Sequence, residues 1–465
     1  MAEKKMTAII EIGSSAISGA VGFKRVDGTL EVVAYAAEDA GEFVKNGVVR
    51  NIDKTAQSIT NIINKLEGQL GAVISQVYVG LEGYTLHSTH QRVEREFEEE
   101  TRVTAELIDQ MTEECQNTQS PDKVIIRVIP QEYMVDSMTT TDPVGCNCRR
   151  IVGECLNLEA RFTVMNNLRA SFDMADVEIA DDLVTPLLLC EKVLTDNDRN
   201  LGCALVDMGA ETTTVTIYKG GCLRFLSVIP MGSQLITFDL TTLGISIAEA
   251  EEIKRRFGLS VDKSDSSSYT TENGTVLPMK TIALAIRARF QEIVSNVLNQ
   301  LKVSGYADDK LSSGIVFTGG GVAMTGVEAY LQSQPHFPKF RMATFKEDAV
   351  EWNVEEKPMK AKRLVLATLL AAGNDDCVTI VERRPVEVDF GRQNEMETLS
   401  LFTDTGEDAQ AERERKQREE EEKRRAEEEK KRKEAEEKKK EKPKKKGFFE
   451  RLRDKAEMLI KEENE

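Results

Sequence analysis

Residues 203–230, CALVDMGAETTTVTIYKGGCLRFLSVIP, decide the fold, because their pattern occurs twice in the chain. Residues 7–36, TAIIEIGSSAISGAVGFKRVDGTLEVVAYA, show the same order: an apolar strand that ends in an acid, a glycine turn with hydroxyl side chains, and two further strands. Another strand follows each copy, VYVGL at 77–81 and GIVFTGG at 314–320. The repeated order indicates a duplicated α/β unit. It predicts two related lobes, and small ligands usually bind in the cleft between such lobes.

The length and composition of the chain limit its class. With 465 residues, the chain has room for two to four domains. It has no run of about 18 apolar residues, so no transmembrane helix is expected. Its first residues, MAEKKMTAIIEIG, lack the apolar core of a signal peptide. These features predict a cytosolic protein.

Charge is distributed unevenly along the chain. The formal net charge is −18, yet residues 412–446 contain 18 Lys and Arg against 13 Asp and Glu. The remainder is therefore more acidic than the chain as a whole, and it would repel the phosphates of a nucleic acid. No nucleic-acid partner is expected.

The eight cysteines favour structural thiols over a metal site. Cys146, Cys148 and Cys155 form a loose cluster, and His87 and His90 are the only close pair of histidines in the sequence. Neither group has the two paired-ligand motifs that are typical of zinc sites. Reduced cysteines of cytosolic proteins commonly behave as small hydrophobic residues, and we expect that role here.

The pattern of strands, helices and charge predicts six parts. They are a first lobe (1–83 and 167–199), an α+β insertion in it (84–166), a second lobe (200–243 and 312–388), a helical subdomain (244–311), a charged linker (389–446) and an amphipathic helix (447–465).

The glycine turn of each copy is a candidate phosphate-binding site. The turn residues are Glu11, Gly13, Ser14 and Ser15 in the first copy, and Asp207, Gly209, Thr212 and Thr213 in the second. Glycine allows close approach of the backbone, and turn amides and hydroxyls bind phosphate oxygens. An acid at each strand end can hold a divalent cation, directly or through water. Either copy alone reads as an ordinary hairpin, but two copies at equivalent points favour phosphate binding.

Two further segments fit a nucleotide less specifically. Gly319, Gly320 and Gly321 follow an apolar strand and precede a helix, where a nucleotide can lie on the backbone. In SIAEAEEIKRRFG, residues 246–258, Glu251 and Lys254 share one helical face and can bind ribose hydroxyls and adenine. The alternative for this pair is a solvent-exposed ion pair.

These four pieces, in this order, resemble the actin/Hsp70/sugar-kinase superfamily, in which duplicated lobes each contribute a phosphate-binding hairpin. The resemblance implies an actin-like α/β fold that binds ATP and Mg²⁺ between the lobes. Glu11 and Asp207 would lie near the Mg²⁺, most simply through water, and residues 251, 254 and 319–321 would hold the adenosine.

The insertion narrows the resemblance. Ile129-Pro130-Gln131-Glu132-Tyr133 and Asp142-Pro143-Val144-Gly145 are similar to the domain peculiar to the FtsA family of bacterial cell-division proteins. The similarity runs from about residue 6 to residue 375. It implies polymerisation into actin-like protofilaments and binding of the C-terminal tail of the tubulin-like protein FtsZ. It also implies recruitment of later membrane proteins of the divisome.

The last nineteen residues, GFFERLRDKAEMLIKEENE, form an amphipathic pattern. The apolar face of this predicted helix consists of Phe448, Phe449, Leu452, Ala456, Leu459 and Ile460. Lysines at 442 and 444–446 precede it and favour anionic headgroups. The pattern is typical of a helix that lies in a membrane interface, although docking on a partner protein or a short coiled coil would give the same pattern. The family resemblance favours the membrane, at the cytoplasmic face of the division site.

One departure from the superfamily pattern concerns hydrolysis. Relatives that hydrolyse ATP carry a Glu directly before a proline. In this sequence the corresponding proline is Pro186, and the residue before it is Thr185. Without a carboxylate to orient water, at most slow hydrolysis is expected. Asp181 or Asp182 is a possible substitute.

Arg287 and Arg289 are the candidate contacts for the acidic FtsZ tail, because they are basic residues in the helical subdomain of an acidic body. Two rival functions share the fold. A sugar-kinase-like phosphotransferase would require a catalytic carboxylate in the cleft. An Hsp70-like chaperone would require a substrate-binding β domain where the charged linker stands.

Overall fold

The computed structural model describes residues 5–117, 122–261, 266–307, 310–344 and 349–379. All of them belong to one compact unit, Met1–Glu382. The predicted linker (389–446) and amphipathic helix (447–465) lie outside the described residues. Within the described ranges, no helix combines the length and apolar character needed to cross a membrane.

The first half of the chain forms a sheet-and-helix lobe and the insertion. Its elements begin with β1 (Thr7–Ile12), β2 (Ala16–Lys24), β3 (Leu30–Asp39), β4 (Val44–Lys45), β5 (Val48–Val49), α1 (Ile52–Leu70), β6 (Val73–Ile74) and β7 (Gln76–Leu81). The insertion follows as β8 (His87–Arg102), α2 (Ala105–Gln116), β9 (Lys123–Val135), β10 (Met138–Thr140) and β11 (Asn147–Arg161). The chain then continues through α3 (Phe162–Met174), β12 (Glu178–Val184), α4 (Thr185–Val193) and α5 (Asp196–Leu201).

The second half repeats the plan. Its elements are β13 (Cys203–Met208), β14 (Thr213–Lys219), β15 (Cys222–Ile229), α6 (Gln234–Thr241), α7 (Ile247–Phe257), β16 (Ser268–Thr270), β17 (Val276–Pro278), α8 (Met279–Val303), β18 (Gly314–Thr318), α9 (Val327–Gln332), β19 (Phe340–Met342), β20 (Val350–Trp352), α10 (Lys360–Ala372) and β21 (Val378–Thr379).

The first lobe is a mixed sheet in the order β12-β7-β1-β2-β3-β20. Strand β1 is antiparallel to β2 and parallel to β7. Helix α1 covers one face with Ile59, Ile62 and Leu66, which are fully buried. Asn51 begins this helix by accepting a hydrogen bond from the Lys54 amide, and Gly71 ends it in the left-handed conformation. The segment Ile52–Leu70 is therefore a helix whose apolar face packs on the sheet.

The second lobe confirms the duplication. Its strand order β15-β14-β13-β18-β19 repeats β3-β2-β1-β7-β12. The register agrees as well, because Glu11 pairs with Gly80 of the neighbouring parallel strand and Asp207 pairs with Thr318. Helices α6, α7 and α8 cover one face of this sheet, with Ile236, Ile253 and Phe290 in the core. Both predicted acids thus lie at the same point of equivalent strands.

The last described segment returns to the first lobe. Strand β20 pairs with β3, and β21 pairs with β6. Helix α10 packs on β1 and β2 and buries Leu366 and Leu369 in the first-lobe core. This pairing differs from the predicted boundary, which placed 312–388 in the second lobe. The chain crosses back because β20 and α10 complete the sheet and the core of the first lobe, a long-range pairing that no local pattern specifies.

An apolar cluster joins the lobes. It contains Leu187 and Cys190 of α4, Leu205 of β13, Val316 of β18 and Leu364 of α10. Both faces of the second-lobe sheet are therefore covered, which is why its strands read as continuous apolar runs rather than as alternating ones.

The insertion extends the second-lobe sheet rather than standing apart. Strand β8 meets β15 at His87 and Ser227. Beside this pairing, Arg224 of β15 forms an ion pair with Glu132 at 2.6 Å and donates a hydrogen bond to Gln131 at 3.3 Å. Both acceptors belong to the Ile129–Tyr133 motif, so that motif carries a contact between the insertion and the second lobe.

Candidate nucleotide site

The two glycine turns have the same hydrogen bond. Gly13 N donates to Ala16 O at 3.1 Å, and Gly209 N donates to Thr212 O at 2.8 Å. Each bond closes a tight turn directly after the strand that carries the acid. The turns therefore place Glu11 and Asp207 equivalently, one from each lobe.

A glycine is required at position 319, where the chain that follows β18 passes close to Asp207. Gly319 has φ +96°, and a Cβ atom there would lie 2.4 Å from Asp207 Oδ1 and 2.4 Å from Met208 O. A side chain at Gly320 would meet nothing within 4 Å. A Cβ atom on Gly321 would lie 2.6 Å from Met208 Cγ, so only the middle glycine of the predicted triplet is open.

Glu11 forms an ion pair with Lys362 of α10. The Glu11 side chain is only 3% exposed, and that of Lys362 is 20% exposed. Burial lowers the pKa of Lys362, but the carboxylates of Glu11 and Glu82 outweigh burial and raise that pKa above its usual value. The lysine is therefore charged at neutral pH. Removing it would leave a buried carboxylate unpaired, at a cost of about 3–5 kcal/mol.

Two more acids face this pair. Burial and the Glu11 carboxylate raise the pKa of Glu82 to about 8, against the opposing effect of Lys362. Burial raises the pKa of Asp207 to about 6, with Lys362 lowering it and Glu11 raising it. At pH 7 Glu82 is mainly protonated, whereas Asp207 is mainly ionised and Glu11 forms the ion pair with Lys362. The cluster then holds two carboxylates and one ammonium.

The predicted hydroxyls differ in their availability. Ser14 Oγ accepts a hydrogen bond from Gly47 N at 2.7 Å. Thr213 Oγ1 donates to Met231 O at 2.7 Å and is buried. Ser15 is exposed at the tip of the first turn. Ser14 and Thr213 thus hold the turns in shape, whereas Ser15 is open to a ligand.

Glu211, in the second turn, bonds directly to the first lobe. Its carboxylate pairs with Lys45 at 3.1 Å and accepts a hydrogen bond from Asn46 N at 2.6 Å. Gly47, the next residue, donates to Ser14 of the first turn. A short chain of bonds therefore links one turn to the other.

Comparison with known proteins agrees with this architecture. The family model "Cell division protein FtsA" matches residues 204–360, and the model "SHS2 domain inserted in FTSA" matches residues 83–158. The cell division protein FtsA of Porphyromonas gingivalis is 30% identical over 335 residues, which cover 70% of each chain. The chain belongs to the FtsA family. The resemblance predicted from residues 129–133 and 142–145 is confirmed.

Other relatives extend the comparison. The FtsA protein of Neisseria meningitidis is 27% identical over 340 residues, covering 71% of this chain and 82% of the relative. A solved structure of a PilM-PilN type IV pilus biogenesis complex superposes with a TM-score of 0.52 at 15% identity, covering 78% of this chain and 97% of that chain. At that identity the likeness concerns the fold alone. Family and fold together confirm the predicted actin-like architecture of a bacterial cell-division protein.

The predicted adenosine residues contact each other in this FtsA-family chain. Lys254 Nζ pairs with Glu251 at 2.6 Å, and it also donates to Thr237 Oγ1 at 3.0 Å and to Ser233 O at 3.3 Å. Lys254 is 5% exposed. All three ammonium donors are engaged, so this pair fixes α7 against α6. Its role in binding adenosine stays a prediction.

The two acids near the proline position contact other residues of the chain, while Asp182 Oδ1 is buried without a hydrogen-bond partner among the described residues. Thr185 is fully buried, and its Oγ1 has no hydrogen-bond partner within the described part of the chain. Asp182 pairs with Arg169 at 3.0 Å, and Asp181 accepts a hydrogen bond from the Asp182 amide. Both candidate substitutes for the hydrolytic acid therefore have partners on β12 and α3.

The predicted FtsZ-tail arginines also have partners within the chain. Arg289 makes a two-pronged contact with Asp239 at 2.7 and 2.9 Å, and it pairs with Glu292 at 2.6 Å. Arg287 donates to the carbonyl of Val261 and lies over the Tyr330 ring. A peptide carboxylate would have to displace these partners. Tail binding at these arginines stays a prediction.

Direct coordination of a Mg²⁺ ion by both Glu11 and Asp207 does not fit the site, and the predicted contact through water stays a prediction. Glu11 Oε2 makes its ion pair with Lys362 and accepts no other hydrogen bond within the described residues. An added ion at Glu11 would displace the ammonium or lie beside a like charge, which is unfavourable. Asp207 alone offers a single carboxylate.

Sequence reasoning missed three residues of the site. Glu82 follows β7 at the position that Gly320 occupies after β18, so the duplication itself could have revealed it. Glu211 lies inside the quoted turn but was not singled out, because its partners are 165 and 166 residues away. Lys362 had no local signal, since only the return of α10 to the first lobe brings it to Glu11.

Replacing Glu82 with Gln tests the charge state of the cluster. Because the pKa of Glu82 is raised from 4.5 to about 8, the folded protein holds a proton that the unfolded chain has released. Stability from this group therefore falls as pH rises between those values. We expect the free energy of unfolding, measured in urea, to fall about 1–3 kcal/mol less in E82Q than in the wild type between pH 5.5 and 8.5.

Glu98→Gln, an exposed position on β8, is the matched control and should follow the wild type. An unchanged pH dependence in E82Q would show that Glu82 is ionised in the folded protein throughout this range.

Proposed function

We infer that this FtsA-family chain binds ATP between its lobes and acts as an actin-like scaffold of bacterial cell division. The observation that carries the proposal is the pair of equivalent turns, Gly13–Ala16 and Gly209–Thr212, each behind a strand that ends in an acid. Lys362 adds a positive charge at the same place. Two such turns with one cation beside them are a suitable cradle for a row of phosphates.

ATP would serve mainly as a conformational ligand. A phosphate chain that touches both turns favours the arrangement in which the lobes are close. Glu211 already bonds the second turn to Lys45 and Asn46 of the first lobe, so the two turns form a mechanically linked pair. With Thr185 at the position of the hydrolytic acid, hydrolysis is expected to be slow.

The phosphotransferase alternative needs a carboxylate base in the cleft. Glu82 is a cleft carboxylate, but its pKa of about 8 keeps it mainly protonated at neutral pH. A protonated acid cannot accept the proton of a sugar hydroxyl. At neutral pH Glu82 is therefore mainly in the form that cannot act as this base.

The remaining parts of the proposal follow from family membership and from the predicted C-terminal helix. Polymerised copies of the chain would bind the FtsZ tail and would be attached to anionic lipid by residues 447–465. The chain would work at the cytoplasmic face of the membrane at the division site and would recruit later divisome membrane proteins. The 58-residue segment 389–446 would give the attachment a long reach between filament and membrane.

Gly319→Ala tests ATP binding. The new Cβ would lie 2.4 Å from Asp207 Oδ1, so either the acid or the β13 backbone must move. We expect the affinity for a fluorescent ATP analogue, measured by titration, to fall at least about tenfold. Gly68→Ala, on α1 with nothing within 4 Å of the added atom, is the control and should bind as the wild type does.

Equal affinity in Gly319→Ala and the wild type would place the nucleotide elsewhere. Absence of binding in the wild type would refute the nucleotide part of the proposal.

Vesicle co-sedimentation tests the tether. The whole chain is compared with a chain that ends at Lys446, on anionic and neutral lipid, with FtsZ filaments present in each sample. We expect only the whole chain to pellet with vesicles, most strongly on anionic lipid, and to carry FtsZ with it. If both chains pellet equally, residues 447–465 are not the anchor. If the whole chain pellets without FtsZ, the tethering role is contradicted.

A further inference from the structure

Lys362 is held in the cleft by a rigid support. It lies in the first turn of α10, whose Leu366 and Leu369 are buried in the first-lobe core and whose Leu364 packs in the cluster that joins the lobes. The ammonium therefore approaches Glu11 from a helix fixed on both sides. A Cβ atom on Gly13 would lie 3.0 Å from Lys362 Nζ and 3.0 Å from Glu11 Oε1. The ion pair thus lies directly beneath the first phosphate-binding turn.

The ammonium has capacity for a further ligand. A lysine has three N–H donors, and in the described part of the chain Glu11 is the one carboxylate within ion-pair distance of Lys362. The side chain retains 20% of its exposure, whereas its partner is 3% exposed. An anion that enters the cleft can therefore reach the lysine without displacing Glu11.

The surrounding charges explain why a fixed cation is needed here. The carboxyl groups of Glu11, Glu82 and Asp207 all interact electrostatically with Lys362. Without a positive charge, the carboxylates of Glu11 and Asp207 would repel a triphosphate. A divalent ion commonly offsets such repulsion at phosphate sites, but Glu11 already has the ammonium of Lys362 as its partner.

We propose that Lys362 is the built-in counter-cation of the nucleotide site, so that the chain binds the phosphates of a nucleoside triphosphate without a divalent ion. The inference rests on the proposed binding of ATP in this cleft. The ammonium neutralises Glu11 on one side and donates to a phosphate oxygen on the other. Mg²⁺ that arrives chelated by the nucleotide gains no ion pair with Glu11, because that carboxylate already has the ammonium of Lys362 as its partner.

The test is a titration of a fluorescent ATP analogue into the full-length protein, once with Mg²⁺ and once with EDTA. The wild type is expected to bind with affinities that differ by less than about threefold between the two conditions. Lys362→Met is expected to lose about tenfold or more in EDTA. Lys192→Met, which removes an exposed lysine from the far end of α4, should match the wild type in both conditions.

A double variant guards against misfolding of Lys362→Met. Glu11→Gln combined with Lys362→Met removes both charges of the pair, so no buried carboxylate is left without a partner. It should fold and still show the loss of binding in EDTA.

Two results would overturn the inference, and they are distinguishable. If the wild type loses about tenfold or more in EDTA and the double variant loses no more, a divalent ion supplies the charge, while ATP binding itself stands. If the wild type binds the analogue in neither condition, the proposed nucleotide site fails and the inference fails with it.

Discussion

The ion pair between Glu11 and Lys362 is the constraint on which the centre of the molecule depends. It joins the first strand of the chain to a helix some 350 residues later, in a cleft where the carboxylate is almost inaccessible to water. A buried carboxylate without this partner would be strongly unfavourable. The carboxylate of Glu11 is therefore neutralised only when α10, which carries Lys362, packs on the first lobe. The same pair places a positive charge beside the first turn.

The duplication gives the second lobe an equivalent acid but a different environment. Among the described residues no lysine forms an ion pair with Asp207, whose pKa is raised by burial, whereas Glu11 has Lys362 as its partner. The two acids therefore occupy equivalent positions in the fold but have different charged neighbours. Glu211, which follows in the second turn, binds Lys45 and Asn46 of the opposite lobe. The two turns are thus connected through side chains as well as through any ligand between them.

Much of the architecture could be predicted from the sequence. The paired turns, the α1 helix with Ile59 and Leu66, and the insertion with its motif at 129–133 all carry local signals of period, spacing or turn chemistry. Contacts between segments that lie far apart in the sequence could not be predicted. The return of β20 to β3, the contact of Arg224 with Glu132, and the approach of Lys362 to Glu11 join segments separated by about 90 to 350 residues, and no local pattern encodes them. Glu251 and Lys254 show a related limit, because their spacing predicted a shared face and, as the alternative, an exposed ion pair, but not that Lys254 would be buried against α6.

The most direct test is an experimental structure of the chain with a non-hydrolysable ATP analogue. We expect the phosphates to lie between the turns Gly13–Ala16 and Gly209–Thr212, with a phosphate oxygen about 3 Å from Lys362 Nζ. We also expect Glu11 to keep its ion pair. A nucleotide bound outside this cleft, or bound to the turn of one lobe alone, would contradict the central claim that the duplicated turns form one phosphate site.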